Sequence, residues 1–521
     1  MSVREVKRRL RAWDLGEPIP RFATLHHRVA EPRRVLVVAF VRMAGESRPW
    51  GIAWGSPGVE PKIETVPDGR VRDAVASLCA NFGEDLLEHM RVHNWTYDPV
   101  PKDAGIEDLQ QVWVPNGQHL AMFHQLAYAY SQTKFGGSDR QLLNSLGRLS
   151  GWLFRDSSRR GSQHIVDASA ALREAFSFPA EDARQAHLGF LLAWLTTAGT
   201  RDDRIRAAGT AELSSVSPTM NPALERDQLA LLLEERRESL GNGESASAQE
   251  DQIANVLHEE LLRRWLLCSD AYEFIRNTDR KLNPGVDDLV SDSLKEFFWQ
   301  CQAQEIKIAN PDEGKTPFVS HPETDFHGSS AASRYLTFAA ADEKYLNTLI
   351  HDDAELFSDA VADGRAVRGT VVAVRDEGEG RKTTPAWTVR MDAETGHRIR
   401  EGGRVVPIGS RKHWATVTGL TQTEIETTVH LEWDGNKTKP ITTGIESKPA
   451  DPAWVGEEVS LVAADGSDIT SWRSRRVWAA KDGPGAWLTH GSATAPLIAD
   501  IASEAAEPIL DDVAQIEGPS T

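Results

Sequence analysis

Three rhythms of apolar and polar positions divide this chain. From residue 34 the rhythm is that of strands. VLVVAFVRM is a continuous apolar run of strand length, and WGIAWG and PKIETV follow it across short turns. A helix period takes over after Asp68, which is placed to cap it: in GRVRDAVASLCANFGEDLLEHM, Val71, Val75, Leu78, Phe82 and Leu86 share one side. These predict a small β-β-β-α unit over 33–112. A unit of that size buries little by itself, so it is expected to pack on the segment that follows.

The second rhythm, over residues 113–362, is helical. In GQHLAMFHQLAYAYS, Leu120, Phe123, Ala127 and Tyr130 recur at three- and four-residue spacing. Gly136 and Gly137 interrupt it, and Asp139 is placed to cap a second helix with the stripe Leu142, Leu146, Leu149 and Leu153. IVDASAALREAF, AEDARQAHLGFLLAWL, PALERDQLALLLEERRESL, QIANVLHEELLRRWLLCSDAYEFI, VDDLVSDSLKEFFWQC and the run from Ser329 to Val361 continue the pattern. No fixed repeat emerges, so the expectation is a large all-α block, a bundle or irregular array rather than a solenoid. The polar stretch GNGESASAQE marks a lobe boundary near 240–250.

The third rhythm alternates. From Gly364 on, GTVVAVRDE, AWTVRMD, GRVVPIG, HWATVTGL, EIETTVHLEWDG, EVSLVAADG and RRVWAAKDG are short strands separated by Gly, Asp and Pro turns. EWDGNK is a hairpin turn, because Asp-Gly tolerates positive φ. GGRVVPIGSRKHWATV and GEEVSLVAADGSDITSWRSRRVWAA echo one another, so residues 363–491 are read as one or two small barrels or sandwiches. Residues 492–521 are acidic, lack aromatics and are read as a disordered tail. The predicted fold is therefore α+β and multidomain: a basic arm over 1–32, the small α/β unit, the helical block, the β module or modules, and the tail.

Composition narrows the class. Apolar residues are 40% and charged residues 26% of the 521, ordinary for a water-soluble protein. No apolar run reaches the length of a membrane span, and the opening MSVREVKRRLRAWDLG lacks an apolar signal core, so the chain is read as cytoplasmic with no membrane partner. Cys79, Cys268 and Cys301 are far apart and outside any metal spacing, which disfavours a disulfide framework and a zinc finger. Arginine outnumbers lysine almost three to one and alanine is abundant, the bias of a GC-rich bacterial genome.

Net charge is −19, against a protein that coats nucleic acid with its whole surface. The charge is uneven, however. The first fifty residues carry eleven bases against five acids, and the tail carries Asp500, Glu504, Glu507, Asp511, Asp512 and Glu517 with no base.

Two groups of residues carry candidate chemistry. Arg411, Lys412, His413 and Trp414 form one basic-aromatic cluster, and Trp472, Arg473, Arg475, Arg476 and Trp478 another. Small barrels bind single strands by stacking bases on exposed aromatics while arginines meet phosphates. The plainer alternative is a tryptophan core with bases guarding strand edges. The second group is His321, Glu323, Asp325 and His327, four ligands alternating over seven residues, as a divalent metal would take them in an extended segment. A polar surface loop explains them equally simply. Phe154 to Arg160, FRDSSRR, is a lesser phosphate candidate beside a solvated connection. The Glu-x-Lys pairs Glu60/Lys62 and Glu305/Lys307 lack the preceding acid a metal-dependent nuclease needs. His119, His124 and His187 are read as structural.

These readings converge on a non-catalytic accessory or scaffold subunit of a bacterial nucleic-acid-processing or phage-defence complex, touching nucleic acid or a nucleic-acid enzyme through the β region, with the basic arm as a second candidate surface. No cofactor and no catalytic residue is assigned, and a protein partner is expected. A metal-dependent hydrolase using the His321–His327 loop, and a pure protein–protein adaptor, are the alternatives.

Overall fold

The computed structural model describes residues 3–90, 92–93, 96–97, 109–157, 164–283, 285–287, 289–291, 293–294, 345–377, 384–392, 399–408, 413–423, 426–433 and 448–463. The chain opens with helix α1 (Val3–Leu15) and reaches its central strand β1 (Val35–Val41), every residue of which is buried. Alternate side chains of a strand point to opposite faces, so a strand apolar throughout needs cover on both sides. Strands β2 (Gly51–Gly55) and β3 (Lys62–Thr65) continue it as an antiparallel meander. Helix α2 (Arg72–His89) then returns the chain to the other edge of β1, where β4 (Gln111–Val114) pairs parallel to it. Helices α3 (Gly117–Tyr130) and α4 (Arg140–Ser157) lead to β5 (Ile165–Asp167), parallel to β4. The sheet order is β3-β2-β1-β4-β5.

Helices cover both faces. Leu36, Val38 and Phe40 meet α2, α3 and α4 in one cluster with Val75, Phe82, Phe123 and Leu146. Val35, Val37, Ala39 and Val41 meet the opposite layer. That layer contains α5 (Ala168–Ala175), α6 (Leu188–Thr196) and the 30-residue α9 (Ser247–Arg276), whose Trp265 indole donates to the Val37 carbonyl at 3.1 Å. Between them lie α7 (Arg201–Ala211) and α8 (Ala230–Gly241).

Several details differ from the sequence expectation. The β-β-β-α unit is not a satellite of a helical block. Strand β4, which straddles the boundary expected at 112/113, and β5, inside the segment read as all-helical, complete its sheet. They have four and three residues, too few to display a two-residue period, and β5 runs straight into α5. Helix α7, closed by a capping box of Thr200 and Asp203, was not expected, because its apolar content is low. In AEDARQAHLGFLLAWL only the last eight residues, Leu188 to Leu195, enter the helix, started by the His187 ring accepting from Phe190 N. Around GNGESASAQE, Leu229 before the stretch and Ile253, Leu257 and Leu261 after it share one cluster, and Arg236 pairs with Glu250 across the turn at 2.8 Å.

A helical segment at 345–352 leads to α10 (Ala354–Ala362), and from Ala366 the chain forms a closed barrel. Its strands are β6 (Ala366–Glu377), β7 (Thr384–Asp392), β8 (Arg404–Pro407), β9 (Ala415–Gln422), β10 (Glu426–Trp433) and β11 (Glu458–Ala463), in the order β6-β7-β10-β9-β8-β11. The long β6 closes the circle by pairing with β11 through its first half and β7 through its second. A Cβ at Gly369 would sit 2.6 Å from Val389 Cγ1, so glycine lets the strand bend there. The described strands of the two echoing segments, β8 and β11, pair side by side in this one barrel. EWDGNK beyond Trp433, RRVWAAKDG and the tail lie outside the described residues. No helix among the described residues is long and apolar enough to cross a membrane.

Candidate functional site

The barrel separates its tryptophans sharply. Trp387, Trp433 and Trp454 are buried and pack together, with ring centroids 4.7 Å apart for Trp387–Trp433 and 5.0 Å for Trp387–Trp454. Trp387 and Trp454 donate their indole N–H groups to the Pro449 and Lys448 carbonyls, while Trp433 Nε1 is buried without an acceptor among the described residues. Trp414, by contrast, stays 40% exposed just before β9. The Arg404 guanidinium, on the neighbouring β8, lies over its ring at 5.8 Å from the centroid. Arg400 is also exposed, and the Gly403 amide donates to its carbonyl. Among the described residues no carboxylate pairs with Arg400 or Arg404. His413, next to Trp414, is buried. This edge thus offers an aromatic surface beside two arginines that no described carboxylate pairs, which suits a stacked base with adjacent phosphates.

Three of the other described barrel arginines have partners, whereas the exposed Arg375 and Lys448 pair with no described carboxylate. Arg365 pairs with Asp363 at 2.7 Å and Arg390 with Glu426 at 4.0 Å, while Arg368 lies over Phe357 of α10. Arg411 and Lys412, and Trp472, Arg473, Arg475, Arg476 and Trp478, lie outside the described residues. So does the loop of His321, Glu323, Asp325 and His327. Among the described residues no three His, Cys, Asp or Glu side chains converge as a metal site.

A second place invites inspection on topology alone. Open sheets with parallel strands hold ligands at the carboxyl ends, where the strand order reverses. Here that is the gap between β1 and β4, and the chain's own segment 214–220 fills it. Arg42 N donates to the Pro218 carbonyl at 2.8 Å, and Met220 N donates back to the Arg42 carbonyl at 3.0 Å. Asn116 Nδ2 donates to the Val216 carbonyl at 3.2 Å, which the His119 ring Nε2 also meets at 3.0 Å. Arg264, fully buried on α9, donates to the Ser217 carbonyl at 2.7 Å and to Glu260 at 2.6 Å. Burial pulls the Arg264 pKa down to about 10, and it pulls His119 down to about 3 with the Arg264 charge adding to the effect. His119 is therefore neutral, and its Nδ1 accepts from the Phe40 amide at 3.1 Å. Asp167 ends β5 and caps α5 by accepting from Ala170 N at 3.0 Å. Burial raises its pKa to about 6, against the pull of that hydrogen bond.

The remaining candidates resolve individually. Lys62 lies on β3 between Asp85 at 3.3 Å and Glu64 at 3.5 Å, over the Trp54 ring, while Glu60 points to solvent. Glu305/Lys307 lies outside the described residues. Of FRDSSRR, Phe154 stacks on His124 at 4.8 Å and Asp156 is buried, while 158–160 lie outside the described residues. His187 bridges Phe190 N and the Ser214 carbonyl. The N-terminal bases are largely spoken for: Arg4 pairs with Asp359, Arg8 with Asp353, Arg9 with Glu5 and Asp182, and Arg21 with Glu5.

Sequence reasoning did not anticipate Asp156, His164 and Ser293. The Ser293 hydroxyl donates to Asp156 at 3.1 Å, and His164 Nδ1 meets the Ser293 oxygen at 2.9 Å. All three are buried, so they form a polar cluster in the interior rather than at the surface. The residues sit far apart in sequence, so no spacing announces them. The Glu260–Arg264 pair was findable, because an acid four residues before a base on a helix marks a pair.

No family model, no curated protein and no solved structure matches this chain.

Proposed function

We propose that this chain is a non-catalytic accessory subunit that presents its barrel to single-stranded nucleic acid at the edge bearing Trp414, Arg404 and Arg400. The observation that carries the reading is the exposed Trp414 beneath Arg404, in a barrel whose other described tryptophans form the core. A tryptophan held at a surface next to arginines that no described carboxylate pairs is what base stacking and phosphate contact require. Arg411 and Lys412, three and two residues before it in sequence, extend the basic character. The non-catalytic half of the proposal draws on the sheet edge: the crevice where such a sheet would hold a ligand is occupied by segment 214–220. The basic N-terminal helix is not part of the proposed surface, because Arg4, Arg8 and Arg9 already have carboxylate partners.

The test is binding of the full chain to labelled single-stranded DNA and RNA across a salt series. Affinity should fall steeply with salt. Trp414→Ala should weaken binding about fivefold or more, since stacking contributes roughly 1–3 kcal/mol per base. Arg404→Ala should also reduce the salt slope. No binding at low salt, or binding indifferent to Trp414→Ala, overturns the reading and favours the protein adaptor.

A further inference from the structure

Helices α6 and α9 pack in one apolar cluster and leave an open groove of about 720 Å³ along their outer side. Leu192 and Ala193 of α6 and Leu267 and Phe274 of α9 make its apolar walls. One loop fixes the direction of the two helices. His187, at the start of α6, and Arg263 of α9 reach the carbonyls of adjacent residues, Ser214 and Ser215. The start of α6 therefore lies beside this part of α9. From there the lining advances along both helices, from Gly189 to Thr196 and from Leu267 to Thr278. Both run toward their carboxyl ends along the groove, which sets the negative poles of two helix dipoles at the same end of it.

The polar groups at this groove are acceptors. Thr196 and Thr278 spend their hydroxyl protons on the carbonyls of Leu192 and Phe274, at 2.8 and 2.9 Å, so only lone pairs remain for the groove. Asn277 Nδ2 is turned to Glu273 at 3.5 Å, and Glu273 also meets Arg276 at 3.4 Å. Asp270 is different. No Lys, Arg or His among the described residues pairs with it, and no base lines the groove. Its apolar surroundings raise its pKa by desolvation, with no cation to offset them. A carboxylate drawn partly out of water gains more from a cation than one that is fully solvated.

We propose that this groove is a docking site for a partner protein's segment in which an arginine or lysine is flanked by apolar side chains. The cation meets Asp270, and the apolar side chains fill the space between Leu192, Ala193, Leu267 and Phe274. Charge complementarity selects this occupant. An acidic segment would set a like charge against Asp270, and a neutral one would cover the carboxylate without pairing it. The seven residues from Gly189 to Thr196 rise about 10 Å, which accommodates two turns of a docked helix. The site is on the sheet domain and does not depend on the Trp414 edge.

A random twelve-residue peptide library displayed on phage, selected against the immobilised full chain, tests this. Recovered peptides, resynthesised and titrated by fluorescence anisotropy, should carry an arginine or lysine with an apolar residue three or four positions away. Asp270→Asn removes the charge and keeps the shape, and it should weaken binding about tenfold or more. Asp270→Lys should abolish binding. Glu244→Lys makes the same change on the exposed turn between α8 and α9 and should leave affinity as it was. Unchanged melting temperatures show that the fold is intact in each variant. Citrulline in place of the peptide's arginine should cost as much as Asp270→Asn, and the two losses should not add, because they remove one contact. Failure to recover any peptide overturns the proposal, as do peptides without a base and affinity indifferent to Asp270→Asn. Self-association of the unaltered chain that Asp270→Lys breaks, seen by sedimentation, overturns it in favour of a second copy in the groove.

Discussion

At the scale of single residues, the buried titratable groups pull stability in opposite directions with pH. His119 is held neutral by burial, with its pKa lowered to about 3. The unfolded chain protonates it below about 6.5, so folding loses roughly 1.4 kcal/mol per pH unit as the pH falls from there. His26, whose pKa is lowered to about 3 by burial and by the nearby charges of His27, Arg280 and Arg21, adds to the same acid limb. Asp167 works the other way. Its pKa is raised to about 6, so the folded state holds the proton more tightly than the unfolded one. Its contribution is intact below about pH 4 and is lost as pH rises to 6. Asp167→Asn keeps a good helix cap and removes the desolvated charge. It should stabilise the protein by about 1–3 kcal/mol at pH 7, part of the effect being screened because the carboxyl is only half-buried. The gain should vanish near pH 4, leaving a steeper acid limb. Urea unfolding between pH 4 and 8 reads both effects, and an equal difference at the two ends would refute the assignment. None of this was legible in the sequence. Asp167 reads there as an acid within a helix-period run, and its burial depends on strand pairing with residues fifty positions away.

At the scale of elements, legibility followed length. Strand β1 was plain because seven apolar residues in succession fit only a strand covered on both faces. Most of the barrel strands were plain from alternation and turn residues, whereas β4 and β5 were too short to carry a period. The helix stripes Leu146, Leu149 and Leu153 of α4 were read correctly, but not the reason α3 and α4 lie so close. That reason is Gly147. A Cβ there would sit 2.2 Å from Ser131 N and 2.6 Å from the Tyr130 carbonyl carbon, so only glycine permits the crossing. Gly147→Ala must push the helices apart and disturb the core that they share with β1, at a cost of about 1–3 kcal/mol. Gly83→Ala on α2 is the natural comparison. Its nearest neighbour is the Leu146 side chain at 3.2 Å, which a small shift accommodates, so it should cost clearly less. Thermal unfolding of the two variants decides the point, and equal losses would show that the close crossing does not limit stability. The Trp414 edge was legible as residue types, while which tryptophans face inward was not, because that depends on register.

At the scale of the whole molecule, a small apolar cluster ties the helical segment before the barrel to the barrel itself. The sheet domain and the barrel have separate apolar clusters, and Ile350, Phe357, Ala360, Ala366 and Val462 join the helices before the barrel to its strands. Helix α1 braces that joint from outside. Arg4 pairs with Asp359 at 3.0 Å, and Arg8 pairs with Asp353 and, at 3.4 Å, Glu355. The partners lie about 350 positions apart, so a sequence reading sees a basic arm where the fold has a brace. The Arg8–Asp353 pair is the important one, since both side chains are nearly covered, at 12% and 8% exposure. Asp353 has a second duty as the cap of α10, accepting from Glu355 N at 2.8 Å and Leu356 N at 3.0 Å. Removing Arg8 strands a buried carboxylate, which typically costs about 3–5 kcal/mol. Asp353→Asn separates the duties, because asparagine caps as well as aspartate but cannot form the ion pair. Asp353→Asn should therefore loosen the barrel without melting α10. Arg8→Glu should loosen it further by setting like charges together. Small-angle scattering should show a larger radius of gyration for both variants, greater for Arg8→Glu, while the Val35–Val41 amides keep their protection. The unaltered protein should move the same way only at high salt, as ion pairs are screened. An unchanged radius for Arg8→Glu would mean that the apolar joint alone orients the barrel.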